Sequence, residues 1–570
     1  MCKYGKRYIG NGNWTDYAEI TYDYSDKRSV SNKLNGVYVN KITVSGIKDA
    51  DGNLVSGSPS GAISQSYLYN WYGDIISEID ANGETYQYAY DKLARLTKVT
   101  NPDSSTQEYS YDVGYAVNDV TAKDENGNII KTSYDNYGRV IAERDVTNNV
   151  LLSEHSREHI DYEFIWQDVV YSTQTGKTTT RTHYNGLGQQ TEKEVLDANG
   201  NVLYHELTDR DYGVDGMLSK VITTVYGETD DADVKNIQYT DIYGNVVKEE
   251  VVYNENGASK SAVTEYTYDY VGNVKTVREP RAYDEGWSAS EYTAKYEYDA
   301  FGNVTKETDI NNKSIVNTYD GMGNLVSVKD KDGNVTTNTY DVIGRLIKEQ
   351  VPFQKNGLKT VYAENKYYYD ANGNVIKSQT ANNAVGSGTT YTTTEYQYNW
   401  QNQPTKVKGF NGNEVESCVQ YYYDSVGNVL RMYTGDVDDL VINGLDNVSG
   451  SNDYAVTKYA YDSMNRCISQ TDALGQTVTN TYDINGNLIS ATDRNGNTLS
   501  YSYDGLNQLL SKSSSKTTAD TYTYSYNMRG NRTGMTGGGV DTTSVYDNLG
   551  RLTKESLTDG TVKELSLIHI

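Results

Sequence analysis

The chain has 570 residues, of which 36% are hydrophobic, with a formal net charge of −26 and a sequence pI of about 4.6. An acidic surface of this kind repels nucleic acid and anionic membranes, so we expect neither as a partner. No stretch is apolar enough to span a membrane, and the first ten residues lack the apolar segment of a signal peptide.

The mean hydropathy of −0.71 is low enough to suggest disorder. Strict periodicity contradicts disorder, because tyrosines recur every 21 residues in three parts of the chain, at Tyr69, Tyr90 and Tyr111, at Tyr298, Tyr319 and Tyr340, and at Tyr461, Tyr482 and Tyr503. A fixed period of this length makes the repeat the unit of structure. We therefore expect one continuous array, although the length alone would suggest several domains.

The regularity of this period divides the chain into seven parts. We expect irregular N-terminal strands or diverged repeats at 1–64, regular repeats at 65–140, diverged repeats at 141–263, regular repeats at 264–348, repeats with loop insertions at 349–454, regular repeats at 455–556 and a truncated end at 557–570. The last six residues, Leu565-Ser-Leu-Ile-His-Ile570, read like a translated sequencing adapter. We accordingly expect the natural protein to continue beyond them.

Each unit contains two turns, and the first has the pattern D-x-x-G followed by Asn or Arg. The Asp side chain can accept a hydrogen bond from the backbone N–H two residues on, and the fourth position requires positive φ. We expect these roles for Asp299, Gly302, Asp320, Gly323, Asp341, Gly344, Asp424, Gly427, Asp483 and Gly486. Where Gly is missing, Asn402, Asn465 and Asn507 replace it, whereas Ala94 is unexplained.

Between the turns, apolar or aromatic residues alternate with polar ones over about five residues, which predicts strands of an antiparallel meander. The fold class is therefore all-β. Tyr contributes 56 residues and Phe only 4, which favours a sheet face that water reaches over a dry core. We expect an aromatic ladder made of Tyr298, Tyr319, Tyr340, Tyr461, Tyr482 and Tyr503.

Three patterns raise the question of catalysis or metal binding. His155 and His159 match H-x-x-E-H, but alternation downstream predicts a strand, in which the two histidines are too far apart for one metal. Acidic turns beginning at Asp124 and Asp330 resemble fragments of calcium loops without the terminal Glu of an EF-hand. A Ser-His-Asp site has no G-x-S-x-G elbow to support it. We expect no catalytic, cofactor or metal site, and three cysteines are too few for a disulfide framework.

The pattern Y-x-Y-D-x-x-G-N/R-V/L-x(4)-D-x-x-G-N resembles the RHS or YD-repeat family, and the resemblance covers about Tyr67 to Leu552. It implies a ribbon that curls into a shell, here an open partial shell. About twenty two-stranded units would give a ribbon about 190 Å long, or a ring roughly 60 Å across when curled once. The family's Pro-, Gly- and Arg-rich core is not visible after Asp547-Asn-Leu-Gly550.

The resemblance leaves two functional hypotheses. In the first, the chain is the structural shell that encloses and presents a C-terminal toxin or effector not contained in it. In the second, it is a cell-surface adhesion module that binds glycans or surface proteins. Both imply a bacterial protein that is secreted or exposed at the cell surface.

Overall fold

A computed structural model describes residues 6–10, 13–16, 19–24, 38–54, 62–113, 118–160, 163–172, 176–214, 218–227, 233–255, 258–280, 293–356, 359–386, 388–435, 437–445, 448–450, 454–516, 520–547 and 550–564. The adapter-like residues 565–570 lie outside this part of the chain.

The described residues form 47 strands. The first sixteen are β1 Lys6–Gly10, β2 Asn13–Asp16, β3 Glu19–Asp23, β4 Lys41–Ser45, β5 Ile63–Tyr69, β6 Ile75–Ile79, β7 Thr85–Tyr90, β8 Leu96–Thr100, β9 Thr106–Val113, β10 Asn118–Lys123, β11 Ile129–Tyr134, β12 Val140–Asp145, β13 Val150–Ile160, β14 Glu163–Ser172, β15 Gly176–Tyr184 and β16 Gln190–Leu196.

The next sixteen strands are β17 Val202–Val214, β18 Leu218–Val225, β19 Val234–Thr240, β20 Val246–Glu255, β21 Ala258–Tyr268, β22 Val274–Arg278, β23 Thr293–Tyr298, β24 Val304–Thr308, β25 Ser314–Tyr319, β26 Leu325–Lys329, β27 Val335–Tyr340, β28 Leu346–Asn356, β29 Lys359–Tyr369, β30 Val375–Ala381, β31 Tyr391–Tyr398 and β32 Pro404–Asn411.

The last fifteen strands are β33 Glu414–Tyr423, β34 Val429–Gly435, β35 Val441–Ile442, β36 Val448–Ser449, β37 Tyr454–Tyr461, β38 Cys467–Thr471, β39 Thr477–Tyr482, β40 Leu488–Thr492, β41 Thr498–Tyr503, β42 Leu509–Ser514, β43 Tyr522–Tyr526, β44 Arg532–Gly537, β45 Thr542–Tyr546, β46 Leu552–Leu557 and β47 Val562–Glu564.

The all-β fold class is confirmed, because 43 of these strands form one antiparallel meander. Each strand pairs with the next along the chain from β3 to β34 and from β37 to β47, and β34 pairs directly with β37. The two-stranded hairpin β35–β36 lies in the insertion between them, and β1–β2 form a separate pair. No pairing joins β3 to β47 among the described residues, so the sheet is a ribbon with two ends rather than a closed barrel.

Strand β7 shows why the sequence pattern produces a two-faced ribbon. Tyr86, Tyr88 and Tyr90 are half-buried on one face, while the residues between them point to the other face and are exposed. In β7 that second face consists of Thr85, Gln87 and Ala89, which are exposed to water. We call the two surfaces the tyrosine face and the opposite face.

Few side chains are fully buried in this ribbon. The largest cluster of buried side chains in the described part of the chain consists of Cys418, Tyr433, Val437 and Leu440. Stability therefore accumulates through cross-strand contacts in every repeat rather than in one central core. Among the described residues, no helix has the length and apolarity needed to cross a bilayer.

The ribbon coils past one full turn, so that residues about three hundred positions apart come into contact. The tip that follows β6 contacts the tip that follows β29, and the tip that follows β10 contacts the tip that follows β33. One coil thus contains 23 strands, β7 to β29 in the first case. At about 4.8 Å per strand this makes a circumference of about 110 Å, hence a diameter of roughly 35 Å if the strands run parallel to the coil axis. The single ring of roughly 60 Å expected from the length is therefore wrong.

Candidate functional site

The turns after the repeat tyrosines share one hydrogen-bond pattern. In the turn at Asp299, Oδ1 accepts the backbone N–H of Phe301 at 2.9 Å and of Asn303 at 3.0 Å, while Oδ2 accepts the side-chain amide of Asn303 at 2.9 Å. The side-chain hydrogen bond from Asn303 and the backbone donors hold the pKa of Asp299 below its usual value. The carboxylate of Asp299 therefore stabilises the whole turn through three hydrogen bonds.

The other expected turns have related geometry. The N–H four residues after the Asp donates to Oδ1 at Asp320, Asp341, Asp424 and Asp483 as well. The glycines all have positive φ, with 85° at Gly302, 84° at Gly323, 88° at Gly344, 99° at Gly427 and 89° at Gly486. Ala94 adopts the same conformation with φ of 61°, as do Asn402, Asn465 and Asn507. Ala94 is therefore an alanine in a left-handed position, which costs more than Asn or Gly there.

Sequence reasoning missed the role of the residue that follows each glycine. Its side chain bonds the Asp or Asn that opens its own turn and also reaches the next turn along the edge. Arg345, after Gly344, donates from Nη1 to the carbonyl of Asp370 at 2.9 Å, and Gln403, after Asn402, donates to the carbonyl of Gly427 at 2.8 Å. In the sequence, the preference for Asn or Arg at this position was the signal that could have revealed this role. Bonds of this kind link successive turns from Asp341 to Asp504. We call the edge of the ribbon that carries the turns after the repeat tyrosines the YD edge. The other edge of the ribbon is the alternate edge.

The six expected ladder tyrosines share one contact, in which the hydroxyl donates to the carbonyl of the first residue of the preceding strand. Tyr319 bonds Val304 at 3.0 Å and Tyr340 bonds Leu325 at 3.0 Å. The remaining four bonds run from Tyr298 to Val274, Tyr461 to Val429, Tyr482 to Cys467 and Tyr503 to Leu488. The phenol thus fixes each strand to its neighbour, which explains why Phe is so rare.

The second coil rests on the first through the turn tips. Asn82 and Asn372 belong to two turns of the same sequence, Asp-Ala-Asn-Gly, and bind reciprocally. Asn82 donates from Nδ2 to Asp370 Oδ2 at 3.0 Å, while Asn372 donates from Nδ2 to Asp80 Oδ2 at 2.7 Å. The backbone N–H of each asparagine also donates to the side-chain oxygen of the other, at 3.2 and 3.3 Å.

Neighbouring tips repeat this contact around the coil. Asn126 donates to Asp424 Oδ2 at 2.9 Å, and Ser463 donates to Asp145 Oδ2 at 2.7 Å. The rings of Tyr86 and Trp400 pack edge to face at 6.1 Å, and the Tyr86 hydroxyl donates to the Trp400 carbonyl at 3.1 Å. In every case the alternate edge of the first coil meets the YD edge of the second.

The YD edge of the first coil carries large apolar side chains at its tips. Tyr137 is 85% exposed and Tyr270 is 99% exposed. Other strongly exposed tip residues on this edge are Tyr72, Leu93, Leu187, Ile242, Tyr243, Val271 and Phe301. By contrast, the tips docked in the second coil include the half-buried Asn372 and Trp400. The first coil therefore presents an uncovered apolar rim in the described part of the chain.

The insertion between β34 and β37 folds back over the opposite face. Val437 and Leu440 pack on Cys418 and Tyr433, and Gln420 donates to the carbonyls of Val437 and Leu440, the latter at 3.1 Å. Outside this apolar contact, Asp438 pairs with Lys406 at 3.0 Å and also with Lys408. The longest loop insertion is therefore anchored by both apolar packing and charge.

The H-x-x-E-H segment lies in strand β13, so it does not form the helix that an inverted zinc site needs. His155 Nδ1 lies 2.7 Å from Asp168 Oδ1, and its Nε2 lies 3.1 Å from Ser153 Oγ. This order of groups resembles a Ser-His-Asp triad. Ser153 is buried, however, and its strand is paired on both sides, so its backbone N–H groups are committed to the sheet instead of an oxyanion hole. His159 instead contacts the ring of Phe164.

The acidic turns at Asp124 and Asp330 are occupied by their own turn bonds. Asp330 Oδ1 accepts the N–H groups of Asp332 and Asn334, and Oδ2 accepts the Asn334 amide at 2.8 Å. Asp124 has the same bonds with Asn128. Capping of the turn accounts for these carboxylates without calcium.

Comparison with protein families supports the repeat assignment. The RHS Repeat family matches residues 49–106 and 482–519. A comparison with curated proteins finds no match. The described geometry, an antiparallel ribbon coiled on itself through Asp-capped turns, is that of a repeat shell.

Solved structures show the same fold. The crystal structure of TcdB2-TccC3 aligns with a TM-score of 0.56 at 12% identity, covering 98% of this chain and 35% of that one. The crystal structure of TcdB2-TccC3-Cdc42 aligns with a TM-score of 0.57 at 12% identity, covering 99% of this chain and 37% of that one. The structure of the Photorhabdus luminescens Tc holotoxin pore aligns with a TM-score of 0.56 at 12% identity, covering 98% of this chain and 36% of that one. The family-model match confirms the resemblance to RHS repeats at those two segments, and the solved structures show the shared fold. The chain spans about a third of the length of the structures it matches.

Proposed function

We propose that the chain is part of the shell of an RHS toxin protein, secreted or exposed at the surface of a bacterium, and that its coils enclose and present a C-terminal toxin or effector lying outside these 570 residues. The tip-to-tip docking of one coil on the next carries this proposal, because it turns a flat meander into a wall. The segment itself acts as a scaffold and performs no catalysis.

The two uncovered edges support a longer shell. Where a YD edge is covered in the part of the chain that the structure describes, its tips dock on an alternate edge. The apolar YD rim of the first coil therefore has the chemistry to receive another coil of the same kind. This agrees with the length of the matched Tc structures, of which this chain covers about a third.

Protease protection tests the shell in the natural gene product. We expect the region that follows residue 570 to resist protease in the intact protein and to become cleavable when the double variant Asn82→Asp, Asn372→Asp separates the coils. Equal cleavage of this region in both proteins, or a gene without any domain there, contradicts the proposal.

The exposed rim also favours the second function, a surface module that binds glycans or surface proteins. Tyr243 and Tyr270 occupy successive tips of the YD edge and are almost fully exposed. Aromatic side chains of this kind can stack on sugars. A glycan array probed with the wild type and with Tyr243→Ser, Tyr270→Ser tests this function: binding that the double substitution abolishes supports it, and binding by neither protein removes it.

A further inference from the structure

A cluster of possible metal ligands lies on three neighbouring strands of the diverged repeats. Glu192 and Glu194 stand two residues apart on β16, and His205 is the cross-strand partner of Glu194 on β17. One ligand atom from each residue lies within 4.8 Å of the other two. All three side chains are half-buried.

A second histidine completes a block of four residues. His183 on β15 is the cross-strand partner of Glu192, and its Nε2 lies 3.8 Å from Glu192 Oε2. His205 Nε2 lies 2.7 Å from Glu192 Oε1. Two imidazole nitrogens and two carboxylates therefore face the same space on one side of the sheet.

Within the part of the chain that the structure describes, direct ion pairs do not reach both carboxylates of this block. Glu192 contacts both histidines, whereas Glu194 makes no ion pair or hydrogen bond through its side chain among the described residues. Arg181 is the cross-strand partner of Glu194, yet no ion pair joins them in the described part of the chain. Two half-buried carboxylates this close repel each other, and a divalent cation between them would remove that repulsion.

The surroundings fix one ligand in place. The ring of Tyr226 stacks on that of His205 with centroids 4.4 Å apart and planes inclined by 11°. This contact limits rotation of the imidazole and leaves its Nε2 directed at Glu192. A ring held in one orientation loses less entropy when it binds a metal.

We propose that His183, Glu192, Glu194 and His205 bind one divalent d-block cation, with Zn²⁺ the best match to two nitrogen and two oxygen ligands. Zn–N and Zn–O bonds are about 2.0–2.2 Å long, so two ligand atoms of a tetrahedral site lie about 3.3–3.6 Å apart. The 4.8 Å limit, which holds for Glu192, Glu194 and His205, exceeds this by about 1 Å, so the Glu side chains must rotate toward the ion. His183 joins the set through its 3.8 Å contact with Glu192. Any proton shared by His205 and Glu192 passes to solvent when the ion binds.

Such an ion would clamp β15, β16 and β17 together where the repeat is irregular. Regular repeats hold their strands with the tyrosine hydroxyl bond, whereas β17 ends in Val214 without a repeat tyrosine at its last position. In β17 the Arg210 side chain makes that bond instead, donating to the carbonyl of Gln190, the first residue of β16, so the metal would add a second strand-to-strand link. This inference is independent of the proposed shell function.

Titration of chelator-treated protein tests the site. We expect calorimetry to show one equivalent of bound Zn²⁺, Co²⁺ to give the absorption of a tetrahedral complex, and Zn²⁺ to raise the melting temperature. His205→Gln should lower the affinity by more than the roughly 10–100-fold typical of losing an outer-shell partner. Glu194→Gln removes a ligand without removing a protein contact and relieves the repulsion from Glu192, so it should weaken binding without lowering the metal-free melting temperature.

The matched control is His155→Gln, because His155 also pairs with a carboxylate at 2.7 Å but lies in a different cluster, on β13 and β14. We expect this variant to bind Zn²⁺ like the wild type. Absence of a stoichiometric site in the wild type overturns the proposal. So does binding that survives both His205→Gln and Glu194→Gln, or binding that His155→Gln abolishes.

Discussion

Asp299 illustrates how a single residue specifies a turn. Its carboxylate receives three hydrogen bonds from the following four residues, and Gly302 supplies the left-handed conformation that closes the turn. Asn can replace either residue in other repeats, at Asn185 for the Asp and at Asn402 for the Gly. The repeat therefore conserves a geometry that two residue types can satisfy.

The strain argument predicts different costs for two substitutions at Gly486. A Cβ at this position would meet nothing within 4 Å, so only the backbone conformation opposes a side chain there. We expect Gly486→Val to lower the free energy of unfolding by more than about 1 kcal/mol, because a β-branched residue does not adopt positive φ comfortably. Gly486→Asn should cost much less. Urea unfolding of both variants measures the difference, and equal stabilities would refute the turn assignment.

The tyrosines predict a loss of stability in alkali. Burial raises the pKa of Tyr461 to about 12, and burial followed by the nearby Glu78 carboxylate raises that of Tyr88 to about 12, against an ordinary value of 10.0. Between these values the unfolded chain releases protons that the folded chain retains, so the free energy of unfolding falls as pH rises above 10. The contribution of these tyrosines to the free energy of unfolding is fully present below pH 10.

Absorbance at 295 nm measures this titration, with circular dichroism as the record of the sheet. We expect part of the phenolate signal to appear only as the β signal is lost, whereas in urea all tyrosines should titrate together near the ordinary value. Complete ionisation near pH 10 with an intact sheet would contradict the hydrogen-bonded ladder.

At the scale of elements, the insertion between β34 and β37 behaves as a separate unit on the ribbon. Its contacts concentrate in Val437 and Leu440 and in the Asp438 pairs with Lys406 and Lys408. These residues cover strands without replacing the direct pairing of β34 with β37. The insertion can therefore open while the meander stays intact.

Leu440→Ala tests that independence. Leu440 is buried, and removing its side chain should cost about 2–5 kcal/mol, as for other core leucines. Because the contacts of Leu440 lie within the insertion and the strands beneath it, while β34 pairs directly with β37, we expect amide exchange to rise in residues 437–445 and 448–450 while β33 and β34 remain protected. The more exposed Leu445 provides the control variant Leu445→Ala, which should change little. Exchange that rises throughout the ribbon would show that the insertion is part of the main cooperative unit.

The local rules were predictable from the sequence, and the long-range ones were not. The Asp and Gly of each turn and the alternation of the strands follow from residue chemistry within five positions, which is why the meander could be inferred. Coil docking depends on Asn82 meeting Asn372 after 23 strands, and no local pattern encodes that number. The Glu192 cluster was missed because its ligands come from three strands and become neighbours only through register.

At the scale of the whole molecule, the coils are held by small polar contacts at tips. Asn82→Asp would place a carboxylate beside Asp370, which now accepts the Asn82 amide at 3.0 Å. We expect the repulsion to increase amide exchange at both turns and to lower the melting temperature, less so at high salt. Asn495→Asp is the control, since Asn495 lies in an exposed turn of the same D-x-N-G pattern. Equal effects of the two substitutions would contradict coil docking.

The uncovered edges predict self-association of the isolated chain. End strands β3 and β47 each lack a second partner among the described residues, and the YD rim of the first coil is apolar. A net charge of −26 opposes association at low salt, and screening above about 0.1 M should release it. Light scattering across a salt series measures this. A compact monomer at every salt concentration would contradict the prediction.

A coil of 23 strands contains an odd number, whereas each repeat contributes two. This half-repeat offset is what sets a tip of one edge directly against a tip of the other. Gene duplication or unequal recombination adds or removes whole repeats, and one such event inside a coil would give every later tip a new neighbour. Substitutions at Asn82 should accordingly covary with substitutions at Asn372 rather than with substitutions in the adjacent repeats. Repeat number within a coil is thus inherited as a fixed quantity, while repeats at either end of the ribbon can be gained or lost freely.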